Sequence, residues 1–237
     1  MSVVSFEDKR WQNKNQEEQY SWKIVDKMLE ALPNGSLCDV GGSGGEFLKR
    51  HLDRGKNRIL NIDVSEVAVK KGLNSGVPSA CLDIEKELPF LENNRKFDFG
   101  LLLDVIEHTV TPDLMLGQVM KIAHRIIIVT PNFANVKFRL QLLFGIVPDE
   151  CREKKGHCLF VTRKKLHEVV VRNGLKVVDE RFYFIGQETP ILSLFSRTIG
   201  RLFPGLFATQ FIVECHKDNR SPHDMPTQDM LAGESYA

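Results

Sequence analysis

Apolar and polar positions change period repeatedly along this chain, and each change marks an element. In 21–35, Trp22, Ile24, Val25, Met28, Leu29 and Leu32 fall at helical spacing, and Pro33-Asn34-Gly35 stops the run. Five short, strongly apolar stretches follow, at 36–41, 58–63, 78–83, 97–104 and 124–132. Between them lie amphipathic stretches at 46–55, at 66–76 and after Thr111-Pro112. Ser65 is placed to cap the helix at 66–76, and Pro112 suits a first helical turn. Residues 133–160 are irregular, with a helical piece around 136–144. Thr162 is placed to cap a helix over 163–174, and two more strand-like runs follow at 175–184 and 208–216. Strands apolar on both faces and interleaved with helices predict a parallel sheet covered on both sides. Right-handed crossovers then make it a doubly wound α/β fold.

Composition narrows the function without naming it. The chain has 237 residues, 42% hydrophobic and 27% charged, which fits one large globular domain. Lys plus Arg is 32 and Asp plus Glu is 31, a net charge of +1 that argues against a protein built to hold long nucleic acid. The five cysteines are odd in number and never spaced C-x-x-C, which reads as free thiols in a reducing compartment. Cys151, His157 and Cys158 match no common zinc spacing, so no metal is expected. The first residues have no apolar core, and no run approaches the ~18–20 apolar residues that span a bilayer. A cytoplasmic protein is expected.

The most informative stretch is Leu37-Cys38-Asp39-Val40-Gly41-Gly42-Ser43-Gly44-Gly45-Glu46-Phe47, where the first strand passes into a helix. Glycines allow close backbone approach to a ligand, and the helix start offers unpaired N–H groups to an anion. The dinucleotide pattern G-x-G-x-x-G fails in both frames. From Gly42 the third glycine would be Phe47, and from Gly41 the second would be Ser43. A nicotinamide oxidoreductase is therefore disfavoured. The pattern Asp39-x-Gly41-x-x-x-Gly45 does fit.

That loop resembles motif I of class I S-adenosylmethionine-dependent methyltransferases. Four further stretches match the family in order: Asn61-Ile62-Asp63, Cys81-Leu82-Asp83-Ile84 with the following Leu88-Pro89-Phe90, Phe97 to His108, and Ile126 to Asn132. Together they span about residues 20–216. Pro131-Asn132-Phe133 with 139–145 resembles the MetW-like branch. His157 with Phe160-Val161-Thr162, and the Glu107-His108 pair, resemble quinone-type O-methyltransferases as well. The resemblance implies a Rossmann-like seven-stranded sheet, mostly parallel with the last strand antiparallel. It implies S-adenosylmethionine as cofactor, held by Asp39, Gly41, Gly42, Gly45, Asp63, Val64, Asp83, Ile84 and Asp104. In that scheme Asp63 meets the ribose hydroxyls and Asp83 the adenine amino group, with an apolar residue beside the ring.

Each of these residues also has a purely structural reading. Gly41 and Gly45 suit any tight turn, and Asp63 could simply cap the following helix. Asp39 inside a strand needs partners, and is expected to order the loop through backbone N–H groups and to reach the cofactor's ammonium through water. Ser43 stands where many members have glycine. Gly42 and Gly44 are expected to take up the unusual backbone angles. His108 and His157 are the candidate general bases, since an imidazole with a pKa near ~6.5 suits proton removal at neutral pH. His108 could equally be a structural histidine at a helix start. Phe133 and Phe160 read first as core.

The expected organisation is an N-terminal arm (1–20), the methyltransferase domain (21–216) with substrate or lid segments at 133–160 and 185–207, and a disordered tail (217–237). In 189–207, Ile191, Leu192, Phe195, Ile199 and Leu202 share one helical face. That face packs on the domain, covers an apolar acceptor, or makes peripheral membrane contact. The functional expectation is methyl transfer to a small-molecule or lipid-like acceptor. The alternative is a MetW-like protein that binds the cofactor and assists or regulates a partner enzyme. RNA as acceptor is disfavoured by the flat charge.

Overall fold

The computed structural model describes residues 20–32, 34–55, 58–86, 96–152, 155–184 and 196–218. Nearly all of the predicted arm and tail, Leu88-Pro89-Phe90, and 189–195 of the candidate contact segment lie outside them.

All seven predicted strands form: β1 (Leu37–Val40), β2 (Ile59–Asp63), β3 (Ser79–Cys81), β4 (Phe97–Leu103), β5 (Ala123–Pro131), β6 (Leu175–Tyr183) and β7 (Gln210–Lys217). They make one sheet in the order β3-β2-β1-β4-β5-β7-β6. The first five strands pair in parallel, while β7 is antiparallel to both β5 and β6. The chain leaves β1 toward β2 on one side and returns to β4 on the other. This reversal is a topological switch point, where a ligand crevice opens at the strand carboxyl ends.

The sheet is covered on both faces because its central strands alternate between two cores. Phe99, Leu101, Leu103, Ile127 and Val129 face one side. There they meet helix α1 (Tyr20–Leu29) through Trp22, Val25, Met28 and Leu29, and helix α2 (Glu46–Leu52) through Phe47 and Leu48. Leu102, Ile126 and Ile128 face the other side. There they pack on α4 (Pro112–Ile122) and α6 (Arg163–Arg172). Each such buried side chain contributes about 1.5–3 kcal/mol. Between β2 and β3 runs α3 (Glu66–Asn74), and α5 (Val136–Leu143) and α7 (Pro204–Phe207) sit beyond the strand ends. The predicted caps form: Ser65 Oγ accepts from the Ala68 N–H at 3.2 Å, and Thr162 Oγ1 from the Lys165 N–H at 3.1 Å.

Of the three readings of 189–207, packing on the domain does not hold at the residues the structure describes. Ser196–Gly200 is a π-helical turn, and the chain breaks at Phe203-Pro204 before α7. Ile199 and Leu202 are 47% and 68% exposed, so neither packs a helix onto the domain. The bulky Phe203-Pro204 junction explains the break, because proline disfavours helix in the residue before it.

The α6–β6 contact carries an ion network. Glu180 accepts from Arg163 Nη2 at 2.7 Å and lies 3.1 Å from His167 Nε2. Burial alone would raise the Glu180 pKa, but the hydrogen bonds and charges of His167 and Arg163 outweigh it and hold the carboxyl at about 2. A depressed carboxyl stabilises the fold above its unfolded pKa, and that stabilisation disappears as pH falls toward about 2. Glu180→Gln should therefore lower the melting temperature at pH 7 by about 4–8 °C, the equivalent of about 2 kcal/mol in a chain this size. The difference from wild type should shrink as the pH of the melt is lowered from 5 to about 2.

Candidate functional site

The crevice at the β1–β4 switch point is built by the glycine loop. Gly41 and Gly45 both have positive φ, 74° and 75°. A Cβ on Gly41 would also lie 2.7 Å from Val105 Cγ2, so the loop passes tight against the end of β4. The unusual angle between them belongs to Ser43 itself, with φ 53°, and not to Gly42 or Gly44 as expected. A left-handed conformation costs an L-residue about 1–2 kcal/mol. Two buried hydrogen bonds from β2 offset it. Asp63 Oδ2 accepts from the Ser43 N–H at 2.9 Å, and Asn61 Nδ2 donates to the Ser43 carbonyl at 2.8 Å. Gly42 is required for space instead: a Cβ there would run into Asn61 Oδ1 and stand 2.6 Å from Asp39 Cγ.

Beneath this loop lies a set of acceptors with nothing to accept. Asp39 is 1% exposed, and neither carboxylate oxygen has a partner. Its carboxylate therefore does not order the loop through backbone N–H groups, because those within reach are taken by other acceptors: Gly41 and Gly42 donate to the Ile62 carbonyl and Ser43 to Asp63. Asn61 Oδ1 and Glu46 Oε2 are likewise buried and unpartnered. Burial, then the charges of Asp63 and Glu46, raise the Asp39 pKa to about 8. With Asp39 ionised, the three side chains present acceptor oxygens together, a set chemically matched to a cation or to N–H and O–H donors.

The other predicted cofactor residues line the same strand ends. Asp63 is buried, and its Oδ1 accepts from the Ser65 N–H at 2.9 Å. It thus ties the glycine loop to the start of α3. Val64 follows it, half-buried, with Cys81 Sγ directed at its carbonyl at 3.6 Å. Past β3, Asp83 accepts from the Glu85 N–H at 3.1 Å and pairs with the exposed Lys86, while Ile84 packs partly on the core. Asp104 ends β4 with φ 56° and accepts from Gln210 Nε2 of β7 at 2.9 Å.

A second group of residues stands further along the same edge. Glu107 and His108 belong to a 3-10 turn, Ile106–His108. The Glu107 carbonyl accepts from the N–H groups of Cys158 and Leu159 at 2.7 and 3.0 Å. This pairing brings His157 beside His108, with ring centroids 4.7 Å apart. Glu107 is 2% exposed, and Thr130 Oγ1 donates to it at 3.2 Å. Burial, with the charges of Asp104 and Glu150 adding, pushes its carboxyl well above the usual range. Glu107, Glu150, His157, Leu159, Phe133, Phe138 and Phe160 line a cleft here. Phe133 and Phe160 stack at 4.6 Å and form its wall, so neither is purely a core residue.

The two candidate histidines are thus adjacent, although 49 positions separate them in the chain. Sequence reading missed Glu107 and Glu150 as site residues. The Glu-His pair at 107–108 was the one available signal. Cys158 is exposed and stands outside the histidine cluster.

Fold and crevice together define the class I methyltransferase architecture. Known structures agree in fold. Magnesium protoporphyrin IX methyltransferase from Synechocystis PCC 6803, solved with S-adenosylhomocysteine, superposes with TM-score 0.60 at 15% identity, covering 91% of this chain and 95% of that one. An S-adenosylmethionine-dependent methyltransferase from Archaeoglobus fulgidus gives 0.56 at 14% identity, covering 91% and 100%. The cyclase SpnF gives 0.59 at 18% identity, covering 88% and 86%. No curated protein sequence matches the chain. The family model for methionine biosynthesis protein MetW matches residues 22–180, and the chain belongs to that family.

The Asp39 geometry makes a stability prediction for the ligand-free protein. A raised carboxyl is harmless to the fold below its unfolded pKa near 3.8 and increasingly destabilising as pH rises toward about 8. Asp39→Asn should therefore stabilise the ligand-free chain by about 2–4 kcal/mol at pH 8 and by little at pH 4. Chemical denaturation at the two pH values checks this.

Proposed function

We propose that the chain binds S-adenosylmethionine at the glycine loop and transfers its methyl group to a small acceptor held in the cleft beside His157. The observation that carries this reading is the cluster of buried, unpartnered acceptors around the loop: both Asp39 oxygens, Asn61 Oδ1 and Glu46 Oε2. The cofactor's ammonium and hydroxyl donors are the complement of that set. When bound, the cofactor supplies an electrophilic methyl group on a sulfonium.

The residues then divide the work. Asp39 ionises opposite the ammonium. Asp63 meets the ribose hydroxyls, and Asp83 takes the adenine amino group with Val64 and Ile84 beside the ring. Gly41, Gly42 and Gly45 let the backbone approach, and Asp104 separates the cofactor crevice from the acceptor cleft. The protein's main catalytic contribution is alignment of acceptor and methyl for in-line displacement, worth several kcal/mol of barrier. For a hydroxyl acceptor, a histidine takes the proton. The Gly156 carbonyl can only accept, so the 3.1 Å contact fixes the His108 Nδ1 as the N–H and leaves the basic lone pair on Nε2. The chain's balanced charge fits a small or lipid-like acceptor and cytoplasmic work.

One observation favours a second reading, in which the cofactor-bound chain assists a partner enzyme. Leu140, Leu142, Leu143, Phe144, Ile146 and Val147 are each at least half exposed in and after α5. An apolar patch of that kind marks contact with another molecule. Leu202 and Phe203 add exposed apolar area in the described part of 189–207, the segment proposed for membrane contact.

Incubation with methyl-labelled S-adenosylmethionine and a cell extract separates the readings. Label in a lipid or metabolite fraction supports catalysis, whereas cofactor binding with no label transferred and a co-purifying enzyme supports the assisting role. Asp83→Ala, which leaves the loop's own hydrogen bonds intact, should weaken cofactor affinity about tenfold or more by calorimetry, as expected for loss of a charged acceptor.

A further inference from the structure

Glu107, His108 and His157 converge more closely than a proton relay requires. The geometry points to a binding site for a divalent first-row transition ion, formed by the two imidazoles and the Glu107 carboxylate, with an open position toward the cleft. One ligand atom from each residue lies within 4.8 Å of the other two. Three atoms so spaced enclose a point no farther than about 2.8 Å from any of them. Bonds from zinc to imidazole nitrogen or carboxylate oxygen are about 2.0–2.2 Å, so side-chain shifts of well under ~1 Å complete the site.

The surroundings are those of a ligand set rather than of three chance neighbours. Metal-binding histidines characteristically donate their second ring N–H to a carbonyl or carboxylate, which fixes the tautomer and aims the other nitrogen. His108 Nδ1 meets the Gly156 carbonyl at 3.1 Å, and His157 Nδ1 faces Glu150 Oε2 at 3.6 Å. In His108, Nε2 is then the atom offered to an ion. Thr130 holds one Glu107 oxygen from behind at 3.2 Å. Glu107 is buried and both histidines are half-buried, so the group does not stand on a solvated acidic face.

Two imidazoles and one carboxylate suit zinc, iron or manganese better than calcium or magnesium, which favour all-oxygen sets. Three protein ligands leave a fourth position for water or substrate. Glu107 and His157 also line the cleft, so that position opens onto it. Resting on the methyl-transfer reading, the ligand class for the open position is an anionic oxygen of the acceptor, a carboxylate or a hydroxyl that loses its proton to water on coordination, which the ion would hold against the methyl group; with the ion bound, the histidines act as ligands and not as the base.

The test uses the full chain, stripped with chelator and titrated with Zn2+ and with Mn2+ against a chromogenic competitor. One ion per chain is expected, and Co2+ should give the visible absorption of a low-coordinate nitrogen–oxygen site. His157→Ala lies in a loop and spares the core. It and Glu107→Gln should each weaken binding at least about tenfold while S-adenosylmethionine binding, measured separately, persists. Absence of stoichiometric binding, or equal affinity in both variants, overturns the site. A chain that binds the cofactor but no ion refutes only the metal site. A chain that binds the ion but no cofactor refutes only the methyl-transfer reading.

Discussion

Two side chains of β2 hold the crevice in shape. Asn61 and Asp63 grip Ser43 from opposite ends of its peptide unit, by its carbonyl and its N–H, and so keep a serine in a conformation that ordinarily belongs to glycine. With the loop fixed that way, Gly42 is pressed over Asp39 and Asn61 with no room for a side chain. The Asp39 carboxyl is sealed beneath it without a hydrogen bond. A buried acceptor without a donor is normally removed by folding or by selection. Its retention here is the clearest physical sign of a ligand that brings donors and positive charge.

The acceptor side follows a similar logic at longer range. The Glu107 carbonyl anchors the chain at Cys158 and Leu159, and this places His157, Glu150 and Phe160 around a cleft whose floor is the end of β5. Between glycine loop and cleft in the chain, Asp104 follows β4 in a left-handed conformation and accepts from Gln210 of the antiparallel β7. The chain's place in the MetW family and its likeness to solved neighbours concern the domain and its fold. SpnF, a cyclase on the same fold, shows that the architecture alone does not dictate methyl transfer. The case for transfer rests on the donor-seeking loop and the adjoining cleft.

Much of the fold was legible in the chain. The strands at 97–104 and 124–132 are long and apolar, the first through Phe and Leu and the second through β-branched Ile and Val, and the caps Ser65 and Thr162 stand directly before amphipathic runs. The Asp39, Asp63 and Asp83 positions could be singled out because Asp39 interrupts an apolar strand just before the glycines, Asp63 closes β2 and Asp83 follows β3. What could not be read depends on contacts between distant segments. The positive φ of Ser43 is set by residues 18 and 20 positions away. The lack of a partner for Asp39 reflects how neighbouring N–H groups are already spent. The meeting of His108 with His157 is made by a backbone pairing between Glu107 and residues 158–159. The choice among the three readings of 189–207 was not legible either, because helical spacing says nothing of whether a helix finds a surface to pack on.

The central claim is that Asp39, protonated in the ligand-free protein, ionises against the ammonium of S-adenosylmethionine. Titration calorimetry at pH 7 in two buffers of different ionisation enthalpy measures this directly. With the Asp39 pKa raised to about 8, binding should release close to one proton per cofactor. Heat of binding that is the same in both buffers, or no binding at all, would contradict the account.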